Sequence, residues 1–330
     1  MMDVRLVAFE SMGIRSMCTF VRTAELAVLI DPSAACHARS GLKPHPVEYE
    51  VLIRKRSAML ALCDQADAVV TSHYHLDHLS PLGNDLVTTF STRAFADRAY
   101  TGKMLFCKDP DRNVTDQQGE RGREFRRVYA RKASAFQIAD GRSFGFGKTT
   151  ISFSPALWHG TEGTVQGYVV GTSIDDGGER MVHASDVQLL NEGCVDWMLA
   201  QGPGLAVVAG PPIFDSERVR RQEREISLRL LRRLAAEVPK VVVDHHLLRS
   251  VDWRNYLQEA GDLGDGVQCA AEAEGVPVLQ HEARRQELYE KEEVDEEFHH
   301  DLERGRVPGR LRGVLEETGM RDVYKVALGW

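Results

Sequence analysis

The chain has 330 residues, 43% of them hydrophobic and 27% charged, enough for one large α/β domain with a sizeable buried core or for two modest ones. Its formal net charge of −8 gives no whole-molecule attraction to a phosphate backbone. The six cysteines, Cys18, Cys36, Cys63, Cys107, Cys194 and Cys269, form no CxxC pair, so neither a disulfide framework nor a zinc ribbon is expected.

The first 31 residues read as three strands in succession, "VRLVAF", "SMCTFVRT" and "ELAVLID", which implies an antiparallel start. Residues 46–65 show apolar positions at helical spacing after a proline suited to a helix start. "ADAVVTS" follows as a buried-type strand. Residues 84–110 mix a helix with a strand, and the polar, glycine-containing "DRNVTDQQGERGREF" reads as part of a surface insertion over about 100–133. Strand signals return in "SAFQIAD", "TTISFSPALWHG", "VQGYVVGTS" and "RMVHASDV", with "IDDGGE" as a hairpin turn. A helix near 195–201, the strand "LAVVAG", a helix over 215–237, the strand "KVVVDHH" and a helix over 252–260 complete the alternation. Two such halves suggest two mixed sheets face to face with helices outside, over residues 1–282. Residues 283–330 read as a charged helical C-terminal extension.

No stretch approaches the roughly 18 to 20 uninterrupted apolar residues of a membrane span, and "MMDVRLVAFESMG" lacks the segments of a secretory signal. A cytoplasmic protein with no membrane partner is expected, and a homo-oligomer is compatible with the sequence. "ERGREFRRVYARK" (120–132) and "SERVRRQEREISLRLLRR" (216–233) are locally basic; solvated helix faces are the favoured reading over nucleic-acid contacts.

The chemistry concentrates in "VVTSHYHLDHLSP" (69–81), where three of the chain's 12 histidines fall within six residues after an apolar run. On an extended segment His73 and His75 point the same way and can share a metal, while Asp77 and His78 face a second point. Imidazole and carboxylate suit zinc, and also iron or manganese. His159 in "ALWHG", Asp186 in "HASDV" and His245 in "VVVDHH" lie at later strand ends and complete one polar edge.

The order His-x-His-x-Asp-His, then His, Asp and His, resembles the metallo-β-lactamase-fold superfamily over residues 3–282. "ALWHG", "SDVQ" and "DHHLLR" look most similar to a branch known only as predicted metal-dependent hydrolases. The resemblance implies a four-layer αββα sandwich with two divalent metal ions, zinc above all, at one edge of the sheets. It implies that His73, His75 and His159 bind the first ion, that Asp77, His78 and His245 bind the second, and that Asp186 bridges them. His246 is the alternative last ligand; otherwise it lines the pocket.

Two such ions, about 3.5 to 4 Å apart, lower the pKa of a shared water and polarise the bond under attack. Asp77 would orient that water and a protonated His246 would assist the leaving group. Arg249 would hold an anion, although a structural pairing is an equal expectation. An ester-type hydrolase follows, acting on a small-molecule or nucleic-acid-like phosphodiester, with a rim of Arg121, Arg123, Arg126 and Arg127 beside the metals. A lactone or thioester hydrolase, a diiron redox or sensor protein, and a nucleic-acid-binding module with a vestigial site are the alternatives.

Overall fold

Alternating burial along the short apolar runs builds the architecture. In "AVLI" and "AVVT" successive side chains enter two different cores, as the two-residue period of a strand requires. The computed structural model describes residues 2–215 and 219–325. Strands β1 (Asp3–Phe9), β2 (Met17–Arg22), β3 (Ala27–Ile30), β4 (Ala68–Thr71), β5 (Met104–Cys107) and β6 (Ala135–Ile138) form one sheet in chain order. The first three are antiparallel, and β3 to β6 are parallel. Next come β7 (Ser143–Phe146), β8 (Thr149–Phe153), the small ladder of β9 (Leu157–Trp158) with β10 (Tyr168–Val169), β11 (Thr172–Asp175), β12 (Arg180–Ala184), β13 (Leu205–Ala209), β14 (Lys240–Asp244) and β15 (Val267–Gln268). Apart from the β9–β10 ladder they make a second sheet, ordered β15-β14-β13-β12-β11-β8-β7, in which β12 to β15 are parallel.

The two sheets face each other across a core that includes Val28, Ile30, Val70, Phe106, Ile174 and Val182. Helices α1 (Pro46–Cys63), α2 (Arg93–Tyr100) and α3 (Asp116–Tyr129) cover the first sheet. Helices α4 (Glu192–Ala200), α5 (Arg221–Glu237) and α6 (Trp253–Glu259) cover the second, followed by the short α7 (Ala270–Ala273). The result is the expected four-layer αββα sandwich. All six cysteines are free and buried. Among the described residues no helix is long and apolar enough to cross a membrane.

Two segments differ from their sequence reading. Residues 100–133 are not a surface insertion: they supply β5, an interior strand, and α3, whose Phe125 and Tyr129 enter the core. The glycines that suggest a loop are contact positions. A Cβ on Gly122 would stand 2.5 Å from the ring of the fully buried Tyr74, so only glycine lets α3 lie against the histidine-bearing loop. Beyond residue 282, α8 (Arg285–Lys291), α9 (Glu296–Glu303) and α10 (Gly309–Glu317) share the core of α1 through Phe298, Leu302, Leu311 and Leu315. Buried ion pairs fix that return: Arg285 grips Glu48 at 2.7 and 2.8 Å, and Glu282 pairs with Arg15. The helical extension therefore packs as part of the folded body.

These contacts give two predictions. Helix propensity favours alanine over glycine by about 1 kcal/mol, but the clash with Tyr74 outweighs it, so Gly122→Ala should destabilise by about 1–3 kcal/mol; equal or greater stability in urea unfolding refutes the packing argument. Burial alone would raise the Glu282 carboxyl, yet Arg15 holds it down to about 2, below its ordinary 4.5. An acid lowered on folding stabilises fully above its unfolded pKa, and that contribution fades as the pH falls from about 4.5 towards 2. Glu282→Gln should cost about 3–5 kcal/mol at neutral pH and flatten this acid limb; an unchanged limb places the acid sensitivity elsewhere.

Candidate metal centre

Parallel pairing brings the carboxyl ends of β3, β4, β12 and β14 to one edge of the sandwich, the position where open α/β sheets hold ligands. His73 follows β4. A turn closed by bonds from the His78 and Leu79 amides to the His75 carbonyl then swings Asp77 and His78 away from His73 and His75. His159 follows β9, Asp186 follows β12, and His245 opens a 3-10 turn directly after β14. All seven candidate ligands come together.

Asp186 stands at the centre with one oxygen on each side. Its Oδ2 lies 2.8 Å from His159 Nε2 and 3.4 Å from His73 Nε2, and His73 Nε2 is 3.1 Å from His75 Nδ1. Its Oδ1 lies 3.3 Å from both His78 Nε2 and His245 Nε2. Asp77 Oδ2 closes that second group, 3.5 Å from His245 Nε2 and 3.8 Å from His78 Nε2. Two donor sets thus share one carboxylate. His246 sits on the first side, 3.9 Å from Asp186 Oδ2, in the wall of the cavity.

Protonation suits cation binding. Burial lowers His73, His75, His245 and His246, leaving them neutral. Burial would raise Asp77 and Asp186, but the surrounding histidines, His78 first, hold both well below the ordinary carboxylate range. Burial would likewise lower His78, yet the carboxylates of Asp186 and Asp77 raise it well above its usual value. A cation would therefore displace a proton from His78.

The donor set fits metal. His78 Nε2, His159 Nε2 and Asp186 Oδ1 are buried without a hydrogen-bond partner. Each orphaned polar atom costs about 1–3 kcal/mol, and a clustered set of them facing one another is what a coordinated ion relieves. Four groups bring their donor atoms within 4.8 Å of one another: His73, His75 and His159 with Asp186; Asp77 and His78 with His245; Asp31 and His73 with His78; and Asp186 and His245 with His246.

Supporting groups lie behind the ligands. Asp31, at the end of β3, accepts from Ser72 N, Ser72 Oγ and Ser185 Oγ and lies 3.0 Å from His78 Nδ1, which leaves His78 Nε2 facing Asp186. The Gln118 amide, held by Tyr74 N and the Gln166 carbonyl, touches His75 Nε2 at 3.1 Å, and the Gln188 amide touches His159 Nδ1 at 3.2 Å. Sequence reasoning missed these groups. Only Asp31 carried a signal, as an acid closing an apolar strand, the same context that marked Asp186.

The adjoining cavity, about 290 Å³, is lined by Arg15, His37, Gln117, Arg121 and Arg249 beside Asp77, His159, Asp186 and His246. A larger groove of about 1100 Å³ lies at the opposite ends of β12 to β14 and has no histidine or cysteine in its lining. Arg249 meets the structural alternative: its Nε donates to Glu10 at 2.9 Å and its Nη2 lies 3.0 Å from His245 Nε2. Burial raises Glu10 to about 8 against the pull of Arg249. Of the expected arginine rim only Arg121 lines the cavity. Arg123 and Arg126 turn to Asp111, and Arg127 to Glu124. The second basic run behaves as a solvated helix face, with Arg224, Arg229 and Arg233 paired to Glu259, Glu192 and Asp196; its residues 216–218 lie outside the described residues.

Comparison with known proteins agrees with this edge. The model of the beta-lactamase superfamily domain matches residues 27–245, a span that holds all seven candidate ligands. The chain belongs to the metallo-β-lactamase superfamily. It is 37% identical over 297 residues to a UPF0282 protein of Pyrococcus abyssi, covering 89% of this chain and 95% of that one. A UPF0282 protein of Methanopyrus kandleri is 36% identical over 290 residues, covering 87% and 99%. Among solved structures it is similar to the metallo-β-lactamase fold protein YhfI of Bacillus subtilis, at 15% identity and a TM-score of 0.47 over 81% of this chain and 95% of that one. It is also similar to a diphosphatase of the PhnP family, at 12% identity and a TM-score of 0.44 over 82% and 94%. The chain thus carries the superfamily's domain, with a candidate divalent-metal cluster at its edge.

The shared carboxylate generates a metal-content prediction. His73→Ala or His75→Ala should remove most of one metal equivalent, Asp186→Ala should weaken both, and His245→Ala should lower only the second. His246→Ala should leave metal content intact and reduce turnover. Metal analysis of the purified variants decides this; unchanged content in Asp186→Ala, or loss in His246→Ala with none in His245→Ala, overturns the division.

Proposed function

We propose that the protein is a hydrolase that uses a dinuclear, zinc-type centre to cleave an ester-type bond in a phosphorylated substrate. The observation that carries this reading is the split of Asp186, with one oxygen toward His73 and His159 and the other toward His78 and His245. On this reading His73, His75 and His159 hold one ion, and Asp77, His78 and His245 hold the other. Two such ions supply Lewis acidity and a water whose pKa falls towards neutrality.

The chain's own residues do the rest. Asp77, held ionised, would serve as a ligand and would orient the attacking water by accepting its hydrogen bond. His246 is neutral in the metal-free protein because burial, and then Arg249, disfavour its cation. It therefore contributes an N–H donor toward the leaving group rather than an imidazolium. Arg121, the cavity arginine that bonds a backbone carbonyl rather than a carboxylate, favours an anionic ester over a neutral lactone. Asp31, Gln118 and Gln188 keep the imidazoles oriented.

The test combines metal analysis of protein purified without added metal with hydrolysis of bis(p-nitrophenyl) phosphate, a neutral lactone and an acyl thioester. Two zinc equivalents and preferential diester cleavage are expected. Cleavage of lactone or thioester alone removes the phosphoester assignment and leaves the hydrolase. Two irons with no hydrolysis of any ester remove the hydrolase reading.

A further inference from the structure

The cations lining the cavity are not equivalent. Arg15 is bound through two nitrogens by Glu282, with Nη2 donating at 2.6 Å, and Arg249 is engaged by Glu10 and His245. Arg121 makes one bond, from Nη1 to the Tyr74 carbonyl at 3.2 Å, and has no carboxylate within 4 Å among the described residues. It is half-buried, and burial pulls its pKa below the usual arginine value, with Asp77 and Glu120 opposing. A half-buried guanidinium whose remaining donors have no protein partner is placed to take an anion in two-point contact.

Its placement is specific. Helix α3 turns Gln118 onto His75, and the residues before and three after it, Gln117 and Arg121, into the cavity wall. Gly122 fixes the depth at which this happens, since the helix rests on the Tyr74 ring there. The bond to Tyr74, which sits between His73 and His75, holds Arg121 next to the metal-ligand loop.

Size and surroundings limit what the anion belongs to. At about 290 Å³ the cavity is at the bottom of the range of about 300–1,000 Å³ for small-molecule sites. The neighbouring arginines of α3 are paired with Asp111 and Glu124, so no basic track leads out of the cavity along that helix. The net charge of −8 opposes a polyanion.

We propose that Arg121 is the anion-binding residue of this site and that the substrate is a compact phosphoester rather than a polynucleotide. The substrate class rests on the hydrolase reading above; the anion site does not. Zinc-loaded protein is titrated with inorganic phosphate by calorimetry, as wild type, Arg121→Gln, Arg121→Lys and an Arg126→Gln, Arg127→Gln double variant. Arg121→Gln should weaken phosphate by about tenfold or more, with metal content and melting temperature unchanged. Arg121→Lys should recover part of the loss, and the double variant should match wild type. With bis(p-nitrophenyl) phosphate, Arg121→Gln should raise KM more than it lowers kcat, and a single-stranded oligodeoxynucleotide should be neither cleaved nor able to displace phosphate. Phosphate affinity within about twofold of wild type in Arg121→Gln, or oligonucleotide cleavage matching the small diester, overturns the proposal. If no ester is cleaved while phosphate binding still depends on Arg121, the anion site stands and the hydrolase reading falls. If esters are cleaved while phosphate ignores Arg121, the reverse holds.

Discussion

A carboxylate buried among histidines is the constraint around which the rest of this molecule is arranged. Asp186 is 1% exposed and stands within 3.4 Å of four imidazoles. Ionised groups taken from water to a protein interior cost several kcal/mol each unless geometry and further bonds compensate them. Here the compensation is incomplete within the chain, since the Asp186 Oδ1, His78 Nε2 and His159 Nε2 atoms remain orphaned. A divalent cation would meet several of these donors at once, which one proton on His78 cannot do.

Holding such a cluster costs backbone strain as well. Asp31, Asp186, Gln188, Leu189 and His245 all adopt positive φ, between 50° and 59°, a region other residues enter at about 1–3 kcal/mol. The surroundings over-determine these turns. Asp244, the last residue of β14, accepts from the amides of Ser11, His245 and Ala270 and so clamps the start of the His245 turn from three elements. Asp31 is fixed by Ser72 and Ser185 from both sheets. Left-handed kinks directly after strands let β3, β12 and β14 end in the core and still aim polar groups across the edge.

What the sequence revealed and concealed follows from the range of the interactions. The strand runs, α1 and the histidine motif are local patterns, and the edge they form was legible because each ligand follows an apolar run. Helix α3 was not, because Gly119 and Gly122 carry low helix propensity and their contacts with Pro110 and Tyr74 are tertiary. The C-terminal helices read only as a charged helical extension because their charges dominate the composition. Their apolar stripe, Phe298, Leu302, Leu311 and Leu315, has meaning only against α1, and the Arg285–Glu48 pair spans 237 residues. Asp31 was hidden for the same reason: its partners His78 and Ser185 lie 47 and 154 residues away.

Long-range pairing also explains why counting basic residues misplaces the electropositive surface. A guanidinium engaged by a carboxylate contributes shape and position more than attraction for a new anion, whether the pair is exposed, as for Arg126 with Asp111, or buried, as for Arg15 with Glu282. The run 120–132 therefore reduces, at the cavity, to the side chain whose helical position turns it away from Asp111 and Glu124 and towards the histidine loop. The same turn of α3 that seats Gly122 on Tyr74 sets that direction, so the packing of a glycine and the charge of the substrate pocket are consequences of one contact.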